Sequence, residues 1–168
     1  MNIQKLDTPH KSKRPSDVMI NAIIIHDTGG KTALGTIEWF VDLESNVSSH
    51  YLIDKDGTTY QFVEDEDKAW HAGVSSLHGI DNVNNFSVGI ELVDNNDKDI
   101  YPQEQIDSLI ELCALLCMEH KIPLNRVVGH KDVAPGRKVD PGNDFPWFEF
   151  LITLGATIGE KECQTLTG

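Results

Sequence analysis

Apolar residues fall in short blocks along this chain, separated by polar stretches rich in Gly, Asp and Asn. Residues 18–25 are apolar nearly throughout, so they read as a strand buried on both faces. Residues 48–53, 58–63 and 87–93 are further strand-length runs, and Asp54-Lys55-Asp56-Gly57 between the first two is a hairpin turn signal. Helical spacing occurs in Ile37, Phe40 and Val41, which predicts a helix over 36–43. It recurs in Ile106, Leu109, Ile110, Cys113 and Cys117, the buried face of the longest helix. Pro102 and Glu104 suit the start of that helix and Pro123 ends it. Arg126-Val127-Val128 reads as a last strand, with a short helix near 147–154. About five strands with one long and two shorter helices predict an α/β (α+β) fold, a central mixed sheet flanked by helices. Residues 1–17, polar and carrying Pro9 and Pro15, read as an extended lead-in. Residues 18–154 form a single domain and 155–168 a frayed tail.

Composition narrows the partners. The chain has 168 residues, enough for one domain with a real core. Its net charge of −13 argues against nucleic acid and against an anionic membrane surface. Three Cys give no disulfide framework, and Cys113 and Cys117 on an apolar helix face read as buried, inert thiols. The basic N-terminus followed by residues 18–25 makes a poor signal peptide, because Asn21 interrupts it and His26-Asp27-Thr28 stands where a cleavage site should be. No stretch is long enough to span a bilayer. The expectation is a monomer, cytoplasmic as synthesised.

The candidate chemistry lies at strand ends. His130 follows the strand at 126–128, and the loop after it holds Pro135-Gly136 and Pro141-Gly142, tight-turn signals that can bring Asp140 back toward His130. His26 closes the apolar run 22–25. Two His and one carboxylate are a common catalytic zinc set, so His26, His130 and Asp140 are the candidate ligands. Their spacing matches no short zinc motif. Glu91 alternates with Ile90 and Leu92, so it points to the other face of its strand. A carboxylate there is costly unless paired or used, which makes Glu91 the candidate general base. Lys138 is the candidate oxyanion partner. Trp70 beside His71 reads as a pocket wall or as ordinary core. Gly29-Gly30-Lys31-Thr32 is not a phosphate loop, because Ile25 stands where that motif needs Gly.

Five blocks in order carry a resemblance: 22–26, 47–53, 69–73, 84–92 and 129–142. Together they resemble the zinc-dependent N-acetylmuramoyl-L-alanine amidases of the second family, which includes AmpD-like recycling enzymes and phage endolysins and is related to peptidoglycan recognition proteins. The resemblance covers about 18–152. It implies one zinc ion on His26, His130 and Asp140, with Glu91 as acid/base and Lys138 stabilising the transition state. It implies His71, with Trp70 and His50, near the substrate. The bond cut would join the lactyl group of N-acetylmuramic acid to L-alanine, in peptidoglycan or a muropeptide. Some relatives carry a catalytic Tyr just before the position of His50; Ser49 stands there, so Tyr51 receives no role. An endolysin would reach the wall through a holin-type membrane lesion. Two rivals are a muropeptide-binding module without catalysis and a metal-independent hydrolase, which would need a Cys among electropositive neighbours.

Overall fold

A computed structural model describes residues 2–94 and 100–167, the side chains of 165–167 excepted. In chain order it contains β1 (Ile3–Lys5), β2 (Lys11–Lys13), β3 (Ala22–Asp27), α1 (Ala33–Val41), β4 (Tyr51–Ile53), β5 (Thr59–Gln61), β6 (Asp67–Ala69), β7 (Ser76–Leu77) and β8 (Ile80–Asp81). Then follow β9 (Ser87–Leu92), α2 (Gln103–His120), β10 (Val127–Gly129), α3 (His130–Val133) and α4 (Trp147–Thr167).

The central sheet is mixed and has six strands in the order β1-β5-β4-β9-β3-β10. Its β4–β5 pair is antiparallel and its other pairs are parallel. The hairpin turns at Asp54–Gly57 as the sequence predicts: Asp54 N–H donates to Thr58 O at 2.9 Å and Gly57 takes φ +82°. Glycine suits that left-handed backbone because it has no Cβ to clash. The two small sheets, β2–β6 and β7–β8, are antiparallel.

The middle strands β3 and β9 are buried along their whole length. Ile23, Ile25, Val88, Ile90 and Leu92 face α2 and α4 and form the main core with Leu109, Leu112, Leu116, Phe150 and Leu154. On the other face a small cluster gathers Ala22, Ile24, Ala72, Val83 and Val133. A second packs Leu52 against Phe40 and Phe62 under α1.

Several expected boundaries move. The lead-in 1–17 supplies β1, the sheet's edge, and β2; apart from Ile3, which packs on the main core, their residues are polar, which leaves no apolar pattern to read. The first strand begins at Ala22 and runs through His26 to Asp27. Helix α1 starts three residues early, because the Thr32 side chain caps it by accepting from Gly35 N–H. Helix α2 ends with Lys121 in a left-handed turn, before Pro123. The last helix is neither short nor frayed at 155–167: α4 has 21 residues and is the longest among the described residues. Leu151, Leu154 and Ile158 pack against the main core and hold it in place. Gly168 lies outside the described residues. No described helix is long and apolar enough to cross a membrane.

Candidate active site

Three sequence-distant elements deliver the candidate ligands to one point. His26 sits one residue before the end of β3, and His130 is the first residue after β10, which pairs in parallel with β3. Asp140 returns because its backbone is tied down: Lys131 N–H donates to Asp140 O at 2.8 Å. Two residues on, Gly142 N–H donates to Asp27 Oδ2 at 2.7 Å, and the same carboxylate accepts from the Tyr101 hydroxyl. His26 Nδ1 lies 2.9 Å from His130 Nδ1 and 3.2 Å from Asp140 Oδ2. His130 Nδ1 lies 3.0 Å from the same oxygen.

The protonation states suit a cation. Burial pushes His26 down to about 4, against the pull of Asp140, so its imidazole is neutral at pH 7. Burial alone would raise the Asp140 carboxyl, but its hydrogen bonds with His130 and His26 hold it well below the usual carboxylate range. His130 Nε2–H donates to the Ala72 carbonyl at 3.1 Å, which leaves Nδ1 as a lone pair. Neutral imidazole nitrogen and ionised carboxylate are the forms that bind metal. His26, His130 and Asp140 therefore make a site able to hold a divalent metal ion.

Glu91 stands beside it. Glu91 is paired in register with His26 on the adjacent strand, and its Oε2 is buried with no hydrogen-bond partner. Burial, then Asp140 and Asp27, raise its carboxyl to about 8, against the pull of Lys138. These residues line a cavity of about 740 Å³, which Lys138 also borders from its exposed loop. Trp70 is on the cavity wall, its indole N–H donating to Ser12 Oγ at 3.3 Å.

Of the other two histidines expected near the substrate, one borders the cavity and one does not. His50 is fully buried outside the cavity; its Nδ1 accepts from Gly89 N–H at 2.9 Å, and burial with Arg14 lowers it to about 3. Its contacts tie neighbouring backbone together, and it does not line the cavity. His71 borders the cavity but is 7 % exposed, with Nδ1 3.0 Å from His26 Nε2 and Nε2 3.1 Å from Ser87 Oγ. Both its nitrogens are taken by the protein, so it has none to offer a ligand. The Tyr51 hydroxyl donates to Asp65 Oδ1, consistent with its having no role in the site.

Sequence reasoning missed Trp39 and Arg137. Trp39 is half exposed on α1 and borders the cavity. A Trp outside the apolar stripe of Ile37, Phe40 and Val41 was the available signal. Arg137 also borders the cavity; it donates to the carbonyls of Ala72 at 2.6 Å and Val74 at 2.7 Å. Cys113 and Cys117 are buried, their thiols raised by burial, Cys117 to about 11, so neither is an activated nucleophile.

Comparison with known proteins agrees with this geometry. The family model described as N-acetylmuramoyl-L-alanine amidase matches residues 14–143. The 1,6-anhydro-N-acetylmuramyl-L-alanine amidase AmpD of Haemophilus influenzae is 34% identical over 90% of this chain and 91% of its own. A crystal structure of selenomethionine AmpD superposes with a TM-score of 0.82 at 31% identity, covering 90% of this chain and 93% of that one. The amidase AmiD from Escherichia coli, solved with anhydro-N-acetylmuramic acid-L-Ala-D-γ-Glu-L-Lys, has a TM-score of 0.75 at 31% identity, covering 85% and 61%.

Proposed function

The chain belongs to the N-acetylmuramoyl-L-alanine amidase family, and we propose that it is a zinc amidase that cuts the bond between the lactyl group of N-acetylmuramic acid and L-alanine. The observation that carries this is the convergence of two imidazoles and one carboxylate within 3.2 Å beside the buried Glu91. Two His and one carboxylate suit zinc, with a coordination position left for water or substrate.

When bound, zinc would lower the pKa of water and polarise the scissile carbonyl. Glu91 handles the protons. Its carboxyl, poised near 8, lies in the range where one group both accepts a proton from the attacking water and returns it to the departing amine. The water oxygen bonds to the lactyl carbonyl carbon, the C–N bond breaks, and the stem peptide leaves with a free L-alanine amino group. Lys138 borders the same cavity with its ammonium and stabilises the oxyanion that develops on the carbonyl. Trp70 and the exposed Trp39 offer aromatic surface to the muropeptide. Every assigned group falls within residues 18–154.

The relatives named for the 1,6-anhydro sugar support a soluble anhydro-muropeptide as the substrate. The test strips the protein of metal, restores zinc, and follows stem-peptide release by mass spectrometry from an anhydromuramyl tripeptide and from intact sacculi. Release that needs zinc and favours the fragment supports the reading. Tight fragment binding with no release at saturating zinc would leave a binding module instead, and preference for sacculi would point to wall lysis.

A further inference from the structure

The two imidazoles of the metal site are oriented from behind by adjacent residues. The Ala72 carbonyl accepts from His130 Nε2–H at 3.1 Å, while the His71 ring meets His26. His26 Nε2, His71 and Ser87 Oγ form a chain of contacts at 3.0 and 3.1 Å. Such a chain could run in either direction, since imidazole and hydroxyl groups both donate and accept. Its far end removes the choice. Ser87 Oγ lies 2.7 Å from the carbonyl oxygen of Val83, which can only accept, so the Ser87 proton is committed there. Ser87 Oγ must then accept from His71 Nε2–H. A neutral imidazole has one proton, so His71 Nδ1 accepts from His26 Nε2–H. His26 Nδ1 is left as a lone pair facing His130 Nδ1 and Asp140 Oδ2.

We propose that His71 is a positioning residue of the metal site: with Ser87 and the Val83 carbonyl it locks His26 into the Nε2–H tautomer that presents Nδ1 to the metal. The inference deepens the zinc reading and rests on it for the metal, though the tautomer itself does not. Gly89 supports it independently. A Cβ at that position would come within 2.5–2.7 Å of three atoms of the His71 ring. A glycine in the middle of a buried strand marks a close approach by another group, and here that group is His71. Ser87, Gly89 and Glu91 alternate along one face of β9. They anchor the relay, make room for it, and supply the proton-transfer group.

The experiment reads two quantities that a purely structural role for His71 would not move together. Nitrogen-15 NMR of the metal-free protein reports the His26 tautomer, and competition with a chromophoric chelator reports zinc affinity. The wild type is expected to hold His26 as Nε2–H. His71→Ala should mix the tautomers and weaken zinc binding about 10–100-fold. His71→Gln keeps an acceptor for His26 and a donor for Ser87, so it should bind within about threefold of wild type. Ser87→Ala leaves the ring in place but unanchored, and should weaken zinc binding about three- to tenfold. An Nδ1–H form of His26 in the wild type would overturn the relay, as would zinc affinity unchanged in both His71→Ala and Ser87→Ala. A wild type that binds no zinc overturns the metal reading, and the tautomer still judges the relay.

Discussion

Strands β3 and β9 build two different interiors, one on each side of the same sheet. Toward α2 and α4 they present Ile23, Ile25, Val88, Ile90 and Leu92, which are satisfied by close packing alone. Toward the cavity they present Ala22, Ile24 and His26, and Ser87, Gly89 and Glu91. Both sides are buried, but the second moves toward ligand, relay and acid as it nears the strand ends. Burial that merely excludes water from isoleucine drives His26 down to about 4 and Glu91 up to about 8. The pleat thus couples the two: the packed side holds still the backbone on which the reactive side depends.

Breaking the reactive side should leave the packed side intact. The largest effect is expected from His130→Ala or Asp140→Ala, which removes one of the three proposed ligands. Zinc retention and turnover should be lost while the metal-free protein still unfolds cooperatively; a variant that elutes with a full equivalent of zinc would refute the ligand set. Next is Glu91→Gln, which keeps the shape and removes the proton. It should retain zinc and lower kcat about 10²–10⁴-fold, and wild-type turnover would take Glu91 out of the mechanism. Lys138→Ala should cost about 10²-fold in kcat with little change in KM, measured on the same fragment substrate. A rise in KM alone would make Lys138 a binding group.

Breaking the packed side should do the converse. Leu109 is fully buried in the main core. Leu109→Ala is expected to cost about 2–5 kcal/mol of stability, read by urea unfolding, with zinc affinity and kcat unchanged at a temperature where the variant is folded. Loss of zinc at that temperature would show that the two sides are less separable than the alternation implies.

How much of this was legible in the sequence follows the same division. Glu91 could be read because it interrupts an apolar alternation, and Asp140 because Pro-Gly turns force its loop back toward His130. His26 could be read because it closes a run of isoleucines. What could not be read depends on contacts between distant backbones. The strands at 3–5 and 11–13 are mostly polar and pair with strands far from them in sequence. Arg14 is tied to the carbonyls of Asp65, Asn84, Asn85 and Ser87, none of them near it in sequence. The helix beyond residue 154 carries Gly155, Thr157 and Gly159, weak helix formers, and is held by the apolar side chains around them. Among the histidines, sequence could place 50 and 71 near the site. It could not tell a ring that faces substrate from one whose nitrogens are both engaged inside.

The smallest effect expected is a pH slope that belongs to the reactive side alone. In the metal-free protein Glu91 holds its proton up to about pH 8, whereas the unfolded chain releases it near its ordinary 4.5. The stability this gives is complete below 4.5 and is lost as pH rises through 8. His26, His50 and His71 slope the other way, because burial keeps them neutral while the unfolded chain takes up protons below about 6.5. Asp27, raised to about 6 by burial, has the sign of Glu91 but is largely spent by pH 7. From pH 6.5 to 8 the Glu91 slope amounts to about 2 kcal/mol at most and is partly offset by the tail of the three histidines. Urea unfolding of metal-free wild type and Glu91→Gln at both pH values checks it. Across the interval the wild type should lose stability relative to the variant, which keeps only the opposing histidine slope. Equal slopes in the two proteins would mean that the Glu91 carboxyl is already ionised at pH 6.5 in the metal-free protein, against the raised value that its burial gives it.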